Sequence, residues 1–306
     1  MQITILSRSA HIHSTRRLVE AARESGFAAT VLNPAQVEMR LDREVAALSI
    51  GGKEVGPADV VIPRFGFSQT TFGLAVLKQF TLRKVPVLNP PDSIGTSRNT
   101  FRCLQRLVAE GVPVPATVMG KDPKHLKAMV ELVGGMPVLV KLIQGGASTG
   151  VMVCESAQSM EATLEAVVGL GQDVIVQKFV RGPRGRDFRV IIVGGRVVAA
   201  VRRRAELGRL HRTLRGGAHF GKVELPEAHA SAAKAAARVV GLEVAAVDIA
   251  EVSDGPKVYE VNSSPGLREI ELVTGVDVAA AIVARAAALA GERDQRTRPS
   301  RKRATA

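Results

Sequence analysis

Hydrophobic and polar positions alternate in two periods along this chain. Over the first 90 residues, short β-branched runs are separated by stretches of helical spacing. Residues 3–7, 28–32, 59–63 and 85–88 predict strands, and residues 14–25 and 72–83 predict helices. Gly26 stands where a left-handed residue closes the first helix, and Asn33-Pro34 ends the second strand. Such alternation predicts an open parallel sheet with helices on both faces. Asn89-Pro-Pro breaks the pattern and marks a domain boundary.

The pattern then changes. Residues 97–110 predict a helix stopped by Gly111, followed by strands over 114–119, 138–142, 150–154 and 174–179. Helices over 125–133 and 159–168 lie among those strands, which is the order of a small α+β subdomain. Beyond Asp187 the strands read as antiparallel: 188–193 and 196–202 flank a Gly194-Gly195 turn, and 244–250 and 257–261 flank Asp254-Gly255. Residues 227–240 and 276–289 predict helices, the latter amphipathic because Asp277 and Arg285 interrupt it. The expected organisation is an α/β domain over 1–95, a central subdomain over 96–182, a C-terminal antiparallel-sheet subdomain over 183–290 and a disordered basic tail over 291–306.

Composition adds charge to this picture. Hydrophobic residues make up 46 % and charged ones 23 %, ordinary for a globular protein with a core. No apolar run reaches the roughly 18 residues of a bilayer crossing. The opening Met1-Gln-Ile-Thr-Ile-Leu reads as a strand without a charged leader and apolar signal segment, so the expected compartment is the cytoplasm. Cys103 and Cys154 make no disulfide framework and are expected as buried thiols. The net charge is +13, and residues 178–215 carry twelve Lys and Arg against Asp187 and Glu206. A solvated basic face would account for such a run, but its density points to an anionic partner.

Asp248, Glu260 and Asn262 form the most informative constellation. Glu260 and Asn262, two apart on one strand, project from the same face, and a hairpin partner can bring Asp248 beside them. Three hard oxygen ligands on one rigid face suit Mg²⁺; the plain alternative is the solvent-facing side of a hairpin. Lys141 ends the apolar run Pro137-Val-Leu-Val-Lys just before Gln144-Gly-Gly-Ala-Ser-Thr-Gly. A lysine followed by a glycine-rich hairpin can hold nucleotide phosphates, or it is a surface cation beside a turn. It is not a Walker A loop, since no Gly-Lys-Ser/Thr opens a helix. Val174-Ile-Val-Gln-Lys-Phe runs into an irregular segment whose backbone can read an adenine edge. Asp187 can accept from ribose hydroxyls, and Arg189, Arg203 and Arg204 point from following strands toward the same cleft.

In this order the segments resemble the ATP-grasp superfamily, and within it the RimK-type α-L-glutamate ligases. The resemblance runs from Met1 to about Ala290 through Ile5-Leu-Ser-Arg, Val61-Ile-Pro-Arg-Phe-Gly, Val133-Gly-Gly-Met-Pro-Val-Leu-Val-Lys, Val197-Val-Ala-Ala, Arg203-Arg-Ala, Arg215-Gly-Gly-Ala, Val247-Asp-Ile, Glu260-Val-Asn-Ser-Ser-Pro-Gly-Leu and Thr274-Gly-Val-Asp. It implies an ATP-grasp fold with a parallel-sheet pre-ATP-grasp domain, a small lid and an antiparallel-sheet subdomain. It further implies that Lys141 touches phosphates, that Lys178 and Phe179 read adenine through backbone atoms, and that Asp187 meets ribose. His211-Arg-Thr would lie near the phosphates, and Asp248, Glu260 and Asn262 would hold two Mg²⁺ ions, with Mn²⁺ as an alternative. Arg203, together with Arg189, would stabilise the charged intermediate. The implied reaction is attack of a carboxylate on the γ-phosphate of ATP, then attack of an amino acid's amine on the acyl phosphate.

Family members extend the acidic C-terminus of a small-subunit ribosomal protein, carrier proteins or small carboxylates with glutamate or a similar amino acid, and the resemblance implies a homo-oligomer. This chain departs from the family pattern at Asn99-Thr100, where an Asp-Lys pair is usual, and at His211-Arg-Thr, where Arg-Ser-Asn is usual. Lys178 replaces a usual glutamate and Ser148 a glycine. Those departures keep a second reading open, a nucleotide-binding regulator without turnover. A third, nucleic-acid binding through the basic tail, rests on a pI near 10.4. With 3 % aromatic residues and no tryptophan, little is available for base stacking.

Overall fold

A computed structural model of the chain describes residues 1–43, 45–122, 125–142, 151–168, 173–180, 186–204 and 219–297. The chain divides into two units, residues 1–91 with 277–306, and residues 92–276.

In the first unit β1 (Gln2–Leu6) is the central strand of a parallel sheet, between β2 (Ala28–Leu32) and β6 (Val60–Pro63). Helix α1 (His13–Glu24) crosses between β1 and β2, as βαβ connectivity requires. Between β2 and β6 lies a meander that the pattern reading missed: β3 (Glu38–Leu41), β4 (Ala46–Ile50) and β5 (Lys53–Glu54). Its signal was the Gly51-Gly52 pair, both with positive φ, in a two-residue turn. Helix α2 (Thr70–Leu82) follows. The strand expected over 85–88 is only one bridge, Val61 to Val87, because Asn89-Pro-Pro ends the extended run.

The second unit opens with α3 (Pro91–Arg98) and α4 (Thr100–Ala109), where one helix was expected. Asn99 divides them: it is extended, and its Oδ1 accepts from the Arg102 N–H at 3.0 Å, making it the N-cap of α4. A four-stranded antiparallel sheet of order β7-β10-β8-β9 then forms from β7 (Thr117–Gly120), β8 (Val138–Leu142), β9 (Val151–Cys154) and β10 (Val174–Lys178). Helices α5 (Leu126–Leu132) and α6 (Ala157–Val168) accompany it. Val138, Val140, Val174 and Val176 share a buried cluster with Leu126, Met129 and Met160, which fixes the sheet's apolar face.

The five-stranded antiparallel sheet has the order β13-β12-β11-β14-β15. It comprises β11 (Arg186–Val193), β12 (Arg196–Arg204), β13 (His219–Lys222), β14 (Val244–Val252) and β15 (Gly255–Asn262). Gly194 and Gly195, with φ of 57° and 74°, make the two-residue turn between β11 and β12. Helix α7 (Glu227–Val240) covers one face: Phe188, Val190, Ile192, Val247 and Ile249 pack against its Ala232, Ala233, Ala236 and Ala237. Small residues let helix and sheet approach closely. Helix α8 (Arg268–Thr274) ends the unit.

Helix α9 (Val278–Thr297) returns to the first unit, packing on α1 and β6. Residues 277–290, expected with the C-terminal sheet, therefore belong elsewhere, because Val278, Ala279, Ile282, Val283 and Ala286 bury a helical stripe there. The helix also continues to Thr297, into the segment expected to be a disordered tail; residues 298–306 lie outside the described residues. Among the described residues no single helix is long and apolar enough to cross a membrane.

Candidate active site

The face of the five-stranded sheet opposite α7 carries the charges. Where Phe188 and Val190 point to the helix, Asp187 and Arg189 point away. Register completes the set: Arg189 pairs with Asp248, Asp248 with Glu260, and Asp187 with Arg203. Arg189 grips Asp248 with two parallel hydrogen bonds, Nε to Oδ1 at 2.7 Å and Nη2 to Oδ2 at 2.6 Å. This bidentate, charge-assisted geometry is the strong form of an arginine–carboxylate pair. Arg203 Nη1 stands 3.7 Å from Asp248 Oδ2, and Arg203 Nη2 stands 3.7 Å from Asp187 Oδ2.

A residue that the sequence reading passed over joins these groups. The β14–β15 register shifts between Asp248 and Ile249, so that Asp248 pairs with Glu260 but Ile249 with Val258. Tyr259 is the extra residue of a β-bulge, and a bulge lets adjacent side chains share a face instead of alternating. The Tyr259 O–H donates to Asp187 Oδ2 at 3.1 Å, and its oxygen accepts from Arg203 Nη2 at 2.9 Å. A bulge cannot be read from residue spacing, although the chain's only tyrosine inside this motif was a signal.

Lys141 arrives from the other sheet. On β8 it alternates with the buried Val138 and Val140, so it leaves the apolar face, yet it is only 9 % exposed. Its Nζ lies 5.9 Å from the centre of the Tyr259 ring. Burial lowers the Lys141 pKa, and the nearby Glu260 and Asp248 oppose that shift. For Asp248, 2 % exposed, burial pushes upward, but Arg189 and then Arg203 hold the carboxyl below its ordinary range. Glu260 is raised by burial and by the neighbouring Asp248 charge. Asp187 is raised by burial to about 6, against the pull of Arg203 and Tyr259. Burial and Asp187 also lift the Tyr259 phenol, which keeps its proton available to donate.

The oxygen donors fit a hard divalent cation. Among the described residues the Glu260 carboxylate takes no side-chain hydrogen bond, although it is held beside Asp248, and this juxtaposition of like charges is one a cation relieves. Asn262 lies two residues further on the same strand face; its Oδ1 accepts from the Ser264 N–H at 2.8 Å and retains a second lone pair. Asp248 likewise keeps a lone pair on each oxygen beyond its bonds to Arg189. Among the described residues no cluster of three or more His, Cys, Asp or Glu is placed to hold a metal, so this site would rely on two carboxylates and an amide oxygen.

The remaining expected site residues are placed as follows. Lys178 ends β10 with its side chain exposed, and its N–H donates to the Ala116 carbonyl at 2.8 Å; the Phe179 N–H donates to the Pro137 carbonyl at 3.1 Å. Both backbone donors expected to face an adenine edge are thus engaged within the sheet. His211, Arg212, Thr213 and the glycine-rich segment 144–150 lie outside the described residues.

Known families match both regions of the chain. The model of the RimK pre-ATP-grasp domain matches residues 1–94, and that of the RimK-like ATP-grasp domain matches residues 97–286. A probable alpha-L-glutamate ligase of Thioalkalivibrio sulfidiphilus is 42 % identical over 284 residues, covering 92 % of this chain and 94 % of that protein. Probable alpha-L-glutamate ligase 1 of Shewanella amazonensis is 39 % identical over 284 residues, covering 93 % and 94 %. Among solved structures, the ATP-grasp ligase PsnB, in complex with a minimal precursor, Mg and ADP, superimposes with a TM-score of 0.72 at 21 % identity, covering 94 % of this chain and 97 % of that one. The chain, matched along nearly its whole length, belongs to the RimK-like ATP-grasp family.

Proposed function

We propose that this protein is an ATP- and magnesium-dependent carboxylate–amine ligase that adds glutamate, or a similar amino acid, to an acceptor carboxylate. The observation that carries the reading is the convergence of Lys141, Arg189 and Arg203 with Asp187, Asp248 and Glu260 between two sheets of one unit. Cations and carboxylates in that number balance, so binding a polyphosphate requires a compensating cation. Asp248, Glu260 and Asn262 would hold magnesium, one or two ions, which when bound supplies charge neutralisation to the phosphates. Lys141 meets the phosphate end and Asp187 meets ribose.

In the reaction a carboxylate oxygen attacks the γ-phosphorus and the bond to ADP breaks. The amine then attacks the acyl phosphate, loses a proton and expels phosphate, leaving an amide. Arg203 and Arg189 need only position reactants and neutralise developing charge. The basic run over residues 178–215 supports an acidic acceptor, such as the C-terminus of an acidic protein or a growing glutamate chain. Cys103 and Cys154, both buried and free, accord with a cytoplasmic setting.

The test is ADP release with glutamate and a peptide ending in acidic residues, with mass spectrometry of the peptide. Glutamate-dependent ADP and a glutamyl mass increment are expected. ATP binding without ADP release, across amino acids and acceptors, would leave the nucleotide-binding regulator as the correct reading.

A further inference from the structure

Tyr259 sits where an ordinary strand would not put it. In a regular β15, Tyr259 and Glu260 would face opposite sides of the sheet. The bulge opposite Asp248 and Ile249 turns both toward the charged face, and the phenol touches both Asp187 and Arg203 at hydrogen-bond distance. With the phenol in place, these cross-strand partners hold their charged atoms 3.7 Å apart, a long ion pair; without it they could close to a direct hydrogen-bonded pair. A collapsed pair would draw Arg203 away from Asp248, 3.7 Å on its other side, and occupy the carboxylate proposed for ribose.

We propose that Tyr259 is a positioning residue whose hydroxyl acts as a wedge between Asp187 and Arg203. By accepting from Arg203 and donating to Asp187, it gives each charge a partner while keeping them apart. Both contacts on Asp187 fall on Oδ2, which leaves Oδ1 outside this network among the described residues. Arg203 correspondingly keeps Nη1 directed at Asp248. The ring adds a second constraint, lying under Lys141 Nζ at a distance where an ammonium and an aromatic face attract. The inference rests on the ligase reading above, since it assigns how Arg203 and Asp187 are kept competent for nucleotide.

The chain supplies its own reporter. Tyr259 is its only tyrosine, and there is no tryptophan, so intrinsic emission comes from this ring with a minor contribution from phenylalanine. Mg·ATP titrated into the full-length protein should change that emission saturably, with the same midpoint as calorimetry. Emission unchanged at nucleotide concentrations that calorimetry shows to be saturating would overturn the wedge while leaving the ATP reading standing. No calorimetric binding at all would overturn both.

Kinetics form the second arm. Tyr259→Phe should lower kcat about tenfold and raise KM for ATP, with an unchanged melting temperature, because the ring still packs. In an Asp187→Asn background, where position 187 has no carboxylate to draw Arg203 away from Asp248, adding Tyr259→Phe should change kcat by no more than about twofold. Equal effects of Tyr259→Phe in both backgrounds would mean that the hydroxyl acts independently of Asp187, and the wedge would be wrong. Should Tyr259→Phe fail to fold, the emission experiment on the natural chain decides alone.

Discussion

The two faces of the five-stranded sheet bury polar groups in opposite ways. On the charged face, Asp187, Arg189, Arg203, Asp248 and Tyr259 satisfy one another at 2.6 to 3.7 Å. On the face under α7, His229 packs its ring on Phe188 at 4.6 Å between centroids, and Arg202 lies over the same phenylalanine at 5.5 Å. There the Arg202 Nε, both His229 ring nitrogens and one Glu251 carboxylate oxygen are buried without a hydrogen-bond partner among the described residues. A buried polar atom without a partner weakens a fold. A connected network fixes geometry, and its removal is felt in chemistry. Polar burial therefore marks a site only where the groups answer one another.

Substitutions should separate the faces in this order. Asp248→Asn removes the negative charge from a proposed metal ligand and from the group that Arg189 grips, so kcat for ADP release should fall about 10²–10³-fold, as when one preorganised electrostatic partner is removed. Arg189→Met leaves a carboxylate that is 2 % exposed with Arg203 and Lys141 as its nearby cations among the described residues; urea denaturation should show a loss of about 2–4 kcal/mol, the range for a broken buried pair discounted for those two cations. Lys141→Met should raise KM for ATP about ten- to a hundredfold, the equivalent of one charged hydrogen bond, with little change in urea midpoint.

On the opposite face the sign reverses. His229→Leu should stabilise the fold by about 1 kcal/mol in urea, since it replaces two orphaned buried nitrogens with an apolar group, and ADP release should be unaffected. Burial lowers the His229 pKa below its ordinary 6.5, partly opposed by Glu251. Because the unfolded chain takes up that proton more readily, the natural protein should lose stability as pH falls below about 6.5, down to the folded pKa. His229→Leu should flatten that loss, as read from urea midpoints across pH 5 to 7.

Much of this was legible in the residues. The strand over 28–32, the strand over 138–142 and the helix over 227–240 are found with the expected bounds, because a β-branched run or an alanine-rich helical stripe states its own period. Asp248 and Glu260 could be placed side by side because strand alternation and a short turn leave few registers. The meander of β3 to β5 escaped because its strands are short and its face is only partly buried. The break at Asn99 escaped because capping competes with helix propagation by a single side-chain hydrogen bond that periodicity does not record.

Local sequence determined which segments form strands and helices, which face of each is apolar, and which family the motifs resemble. Those properties follow from side chains a few positions apart. Tertiary structure alone decided that α9 leaves the C-terminal sheet for the first unit, that a bulge turns Tyr259 and Glu260 to one face, and that Tyr259 stands between Asp187 and Arg203. Register and burial join residues as far apart as Asp187 and Tyr259, and the field each charge experiences depends on that assembly rather than on its neighbours in the chain.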